Sequence, residues 1–105
     1  MSFEIIWSEF AETQLDEIYE YYRKEVNERV AKKIIKGVIN EPKRLRNLSF
    51  TGQEEELLQD RKIKYRYIIY TNYKIIYSVD TENEFIKIAD VFDTRQYPLK
   101  IKRTK

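Results

Sequence analysis

The period of the apolar residues changes once along this chain, and that change restricts the fold more than any other feature. From residue 8 to about residue 39 the repeat is helical. Ala11, Leu15, Ile18, Tyr19, Tyr22 and Val26 form one stripe, and Val30, Ala31, Ile34, Ile35, Val38 and Ile39 form a second. Ser8 and Asn27 stand before the two stripes as N-caps. Pro42 places a stop or kink near the end of the second, with a final turn through Leu45 compatible with it. From residue 62 onward the pattern is strand-like. Lys62–Tyr70 and Tyr73–Val79 are rich in Ile and Tyr, Thr71-Asn72 is a two-residue turn, DTENE is the next turn, and Phe85–Phe92 is the last strand. A short apolar run, Phe3–Trp7, precedes the first helix. The order β-α-α-β-β-β predicts an α+β fold, with an N-terminal strand, a helical hairpin and a mostly antiparallel sheet. Residues 46–60 read as a loop, pinned by Leu48, Phe50, Leu57 and Leu58, with Glu54, Glu55 and Glu56 at its surface.

A chain of 105 residues fits one core. We expect a single domain over residues 1–98 and a basic tail over 99–105. The chain has no cysteine and no histidine, which excludes disulfides, thiolate chemistry, Cys-based zinc sites and the commonest general base. Any proton transfer would fall to Glu, Asp, Lys or Tyr, and no cofactor or metal is expected. No segment has the length of a membrane span, and Met1-Ser2-Phe3-Glu4 lacks the basic start and apolar run of a signal peptide. The expected location is the cytoplasm, with no membrane partner.

Net charge is only +2, but it alternates in blocks: −5 over residues 1–25, +5 over 26–53, −4 over 54–60, +5 over 61–77, −4 over 78–93 and +5 over 94–105. Three basic blocks in so short a chain suit a local basic patch. Lys62, Lys64 and Arg66 alternate with Ile63, Tyr65 and Tyr67, which predicts a basic row on one face of a strand. The face of Lys74 depends on the turn. A two-residue loop pairs Tyr70 with Tyr73 and Arg66 with Tyr77, placing Lys74 opposite the Arg66 row, whereas a bulge reverses this. After the last strand, Asp93-Thr94-Arg95-Gln96-Tyr97-Pro98 offers Arg95 as a phosphate clamp and Tyr97 as a stacking or proton-donating group.

Taken together, the strand and two helices, the run YRYIIYTNYKIIYSVD and the ending VFDTRQYP resemble the RelE/ParE superfamily of bacterial toxins. The resemblance spans roughly residues 3–98. It implies the toxin half of a type II toxin–antitoxin module, inhibited by a cognate antitoxin that wraps it, as a homodimer or a toxin–antitoxin hetero-oligomer. It implies one of two targets: mRNA on the ribosome, cut without metal by RelE-like members, or DNA gyrase, poisoned by ParE-like members that are not nucleases. A homologue that only binds its antitoxin is a third reading. The mRNA interferase reading is the one we carry forward as an expectation. In it, Arg66 and Arg95 stabilise the phosphate, Lys64 or Lys74 assists charge or proton transfer, and Tyr97 positions or donates. Two departures stand out: Lys74 occupies a position where the family often has arginine, and no second arginine adjoins Arg95.

Overall fold

Ser8 ends the first strand and starts the first helix. In the computed structural model, which describes residues 2–47, 49 and 51–104, strand β1 (Glu4–Trp7) leads into helix α1 (Glu9–Glu25). Ser8 Oγ accepts from Ala11 N at 3.0 Å, and Glu9 and Glu12 complement the helix dipole. Asn27 caps helix α2 (Glu28–Asn40) in the same way, its Oδ1 accepting from Val30 N at 2.8 Å. A 3-10 turn over Glu41–Arg46 continues α2 past Pro42. The chain then forms β2 (Gln53–Glu54), a 3-10 turn at Glu56–Leu58, β3 (Arg66–Tyr70), β4 (Tyr73–Asp80), β5 (Phe85–Asp93) and a final 3-10 turn at Pro98–Arg103.

The five strands form one sheet in the order β1-β5-β4-β3-β2. β1 runs parallel to β5, and the other pairs are antiparallel. The helical hairpin supplies the crossover from β1 and packs one sheet face. There Ala11 and Val38 meet Ile68, Ile75, Tyr77, Ile86, Ile88 and Val91. The opposite face carries Tyr65, Ile76, Ala89 and Phe92. It is covered by Leu58 and Ile101 from two 3-10 turns. Ile101 and Thr104 are buried, so the basic C-terminal stretch is part of the second core layer. Leu58 also anchors the loop, with Leu57 packed beside it, whereas Leu48 and Phe50 lie outside the described residues.

Two readings are corrected. The strand expected from Lys62 begins only at Arg66, so the basic row Lys62–Lys64–Arg66 does not form. β4 continues past Tyr77, the partner of Arg66, but residues 61–65 leave the sheet. Arg61 donates to the carbonyls of Lys102 and Thr104 instead, and Ile63 is 55% exposed. Alternation is a local signal, whereas a strand needs a ladder partner. Glu55, expected at the surface, is 4% exposed.

At Gly37, α2 packs directly on the Tyr70 side chain of β3. A Cβ there would overlap the Tyr70 ring. Gly37→Ala gains about 1 kcal/mol of helix propensity but forces α2 or Tyr70 aside, at about 1–3 kcal/mol. We expect a net loss of stability, read as a lower urea midpoint with an unchanged slope.

Candidate functional site

The two-residue turn settles the parity of the basic residues. Tyr70 pairs with Tyr73, Arg66 with Tyr77, and Ile69 with Lys74. Thr71, not Asn72, takes the positive φ, at 51°. Asn72 is held to the end of β5, its Nδ2 donating to Asp93 Oδ1 at 3.1 Å and its carbonyl accepting from Thr94 N at 2.8 Å. Arg66 and Lys74 therefore belong to opposite sheet faces. The β4–β5 irregularity at Ile76/Tyr77 lies between β4 and β5 and leaves the β3–β4 register intact.

Each predicted residue then has its own surroundings. Lys74 is on the face of the second core layer. Its Nζ lies 2.7 Å from Glu55 Oε1 and 4.3 Å from the Tyr67 ring centroid. The other Glu55 oxygen accepts from Leu57 N at 3.2 Å, so the carboxylate is used on both sides. A cavity of about 70 Å³ beside Lys74 is lined by Leu57, Phe92, Thr94, Pro98 and Ile101. Arg66 Nη1 donates to the Gly52 carbonyl at 2.9 Å. It shares a shallow depression with Ile63, Lys64 and Val79. Lys64 Nζ lies 3.3 Å from Glu54 Oε1 in solvent. Tyr97 is 64% exposed and opens the last 3-10 turn.

Arg95 lines a third place, a cleft of about 300 Å³ between Glu17 and Tyr21 of α1 and Tyr73, Asp93 and Arg103 at the sheet end. Its guanidinium is forked onto Asp93, Nε to Oδ1 at 3.0 Å and Nη2 to Oδ2 at 2.8 Å. That fork, opposed by partial burial and helped by the Arg95 and Asn72 N–H groups, holds the Asp93 carboxyl below its usual value. The same hydrogen bonds raise Arg95. Burial, then the Tyr22 hydroxyl 3.3 Å away, pushes the Tyr73 phenol up.

A depressed Asp93 stabilises the fold above the unfolded carboxyl value, about 3.9. That contribution is lost as pH falls through the folded value. Urea midpoints measured from pH 6 to pH 3 should therefore fall less steeply for Asp93→Asn than for the parent. The raised Tyr73 has the opposite sign: its contribution is full below about pH 10 and is lost as pH climbs above it.

The five predicted residues thus do not converge on one point: Lys74 is on one sheet face, Lys64 and Arg66 share the depression at the start of β3, Arg95 is in the α1 cleft, and Tyr97 is exposed at the start of the last 3-10 turn. What the sequence reading missed are acids. Glu55 neutralises Lys74, and Asp90, 0% exposed, receives Arg103 and Thr104. A lone acid inside the apolar run IKIADVF was the available signal for Asp90. Among the described residues no group of three or more His, Cys, Asp or Glu side chains is placed to hold a metal ion. None of the described helices is long and apolar enough to cross a membrane.

Two solved structures share this architecture. One, the chromosomal ParDE toxin–antitoxin system of P. aeruginosa, matches with a TM-score of 0.69 at 16% identity, covering 88% of this chain and 96% of that one. The other, the RelBE2 toxin–antitoxin complex of Mycobacterium tuberculosis, matches with a TM-score of 0.54 at 12% identity, covering 89% and 92%. At such identities the likeness establishes the α+β fold of this class. No curated protein matches the sequence. The model of the family described as the ParE toxin of the type II toxin–antitoxin system parDE matches residues 5–98. The chain belongs to the ParE toxin family.

Proposed function

We propose that this chain arrests growth as a ParE-like inhibitor of DNA gyrase, without cutting nucleic acid, and that a cognate antitoxin holds it in check in the cytoplasm. The family match over residues 5–98 carries this reading and favours it over mRNA cleavage. The geometry supports it. Cleavage without metal or histidine needs several cations and a proton donor around one phosphate. Three of the predicted cations are instead each taken up by an acid, Lys74 by Glu55, Lys64 by Glu54 and Arg95 by Asp93, and the Arg95–Asp93 pair lies apart in the α1 cleft. The matched ParDE and RelBE2 structures are toxin–antitoxin assemblies, which supports an antitoxin as the partner.

Purified protein added to gyrase and relaxed plasmid tests the reading. Loss of supercoiling with trapped, cleaved DNA is the expected result. Uninhibited supercoiling at saturating protein, with new mRNA ends by primer extension after induction, would instead restore the nuclease reading. Arg95→Ala and Lys74→Ala would then have to abolish those ends. Antitoxin binding without growth arrest would mark an inactive homologue.

A further inference from the structure

The helical hairpin is electrically two-sided. The exposed acids Glu9, Glu12, Asp16, Glu17 and Glu20 belong to α1. On α2 and the 3-10 turn that continues it, Arg29, Lys33, Lys36 and Lys43 are all exposed. Their spacing is the informative part. Steps of four, three and seven residues return to the same side of a helix, and the seven-residue step passes through Asn40. From Asn40 to Lys43 the chain is in 3-10 geometry, where three residues make one full turn. The four cations therefore form one straight ridge about 20 Å long.

The ridge is unneutralised. The two acids of this segment are engaged beside it: Glu28 holds Lys32 at 3.1 Å and Glu41 holds Arg44 at 3.1 Å. None of the four ridge side chains has a hydrogen-bond or ion-pair partner among the described residues. Several cations elsewhere are paired with acids, as at Lys74, Arg95 and Arg103, and the isolated exposed lysines Lys24, Lys62 and Lys100 do not share one row with the ridge.

We infer that this ridge is a binding surface for the phosphate backbone of double-stranded DNA. A straight, rigid row of cations matches a regular polyanion, and 20 Å of duplex presents about a dozen phosphates. The row itself is four cations and Asn40, and the apolar depression lined by Ile5, Trp7 and Ile39 flanks its Lys43 end without interrupting it, whereas a protein partner needs a desolvated apolar centre and a membrane surface needs apolar side chains to insert. The acids of α1 repel the same polyanion and so orient the molecule with α2 towards it. The contact reads no bases and is independent of any effect on gyrase.

Fluorescence anisotropy of the full-length protein with a 20-base-pair duplex, at a series of salt concentrations, tests it. Each phosphate contact contributes about −0.9 to the slope of log K against log salt. A slope of about −3 to −4 is expected for the parent. The triple variant Lys33→Ala, Lys36→Ala, Lys43→Ala should cut the slope by roughly 2.7 units and weaken binding at least tenfold at low salt. A control with Lys24→Ala, Lys62→Ala and Lys100→Ala makes the same change in net charge and should bind within twofold of the parent. Equal weakening in both variants would overturn the ridge and leave only diffuse charge. So would unchanged binding in the ridge variant, with native circular dichroism showing that both variants are folded. Capture by vesicles of 30% phosphatidylserine in phosphatidylcholine without duplex binding would overturn the DNA assignment. Tighter binding of single-stranded RNA of equal charge through the same lysines would overturn it as well.

Discussion

Arg103→Ala should destabilise the protein by about 3–5 kcal/mol. Asp90 is fully buried in the middle of β5. Its carboxylate receives Arg103 Nε at 3.2 Å, Arg103 Nη2 at 3.1 Å and the Thr104 hydroxyl at 2.9 Å. The guanidinium also lies 5.3 Å from the Phe92 ring centroid and 5.6 Å from that of Phe10. Removing the arginine strands a buried anion, and that desolvation dominates the loss. The double variant Asp90→Leu, Arg103→Ala removes the anion as well and should recover part of it. Equilibrium urea unfolding of the four proteins gives the coupling directly. If the double variant were no more stable than Arg103→Ala, the stranded-charge account would fail. The same variants bear on function, because the pair fastens the C-terminal turn over the sheet face that carries Lys74. Proteolysis should cut the C-terminal segment first in Arg103→Ala.

Tyr77→Phe should cost about 3 kcal/mol, unusually much for the loss of one hydroxyl, because two buried backbone groups depend on it at roughly 1–3 kcal/mol each. Tyr77 has no exposed surface. Its hydroxyl donates to the Ser49 carbonyl at 2.8 Å and accepts from Gly52 N at 3.0 Å. The phenol is pushed up mainly by burial, so it stays a neutral donor across the working pH range. Gly52 is required by this contact, since a Cβ would lie 2.5 Å from the Tyr77 hydroxyl and 2.7 Å from the Tyr67 carbonyl. The measurement is again a urea midpoint, with amide exchange at Gly52 as a local probe. A loss below about 1 kcal/mol would show that water replaces the hydroxyl there.

Much of the fold is readable from local pattern. Ser8 and Asn27 are the caps they were expected to be, because capping is a local hydrogen bond to an amide three residues on. The helix stripes bury against the sheet as their period requires. The strand from Arg66, the Thr71-Asn72 turn and the final strand follow the change to period two. The site was less legible. Lys62 and Lys64 alternate like strand residues, but the chain before Arg66 is drawn away to the C-terminal carbonyls. Glu55 sits in an acidic tripeptide that looks exposed, yet it is buried against a lysine nineteen residues away.

By itself the sequence determined the order of elements, the absence of thiol and imidazole chemistry, and membership of this toxin class, since these depend on residue identity and near-neighbour spacing. It also contains Arg29, Lys33 and Lys36 at helical spacing, whereas the 3-10 turn that brings Lys43 into line with them is a feature of the folded chain. Tertiary structure decided which cations meet an acid. The parity of a two-residue turn put Arg66 and Lys74 on opposite faces, and burial brought Asp90 to Arg103 and Glu55 to Lys74. Charge pairing depends on distance through space, and that distance is set only once the chain has folded.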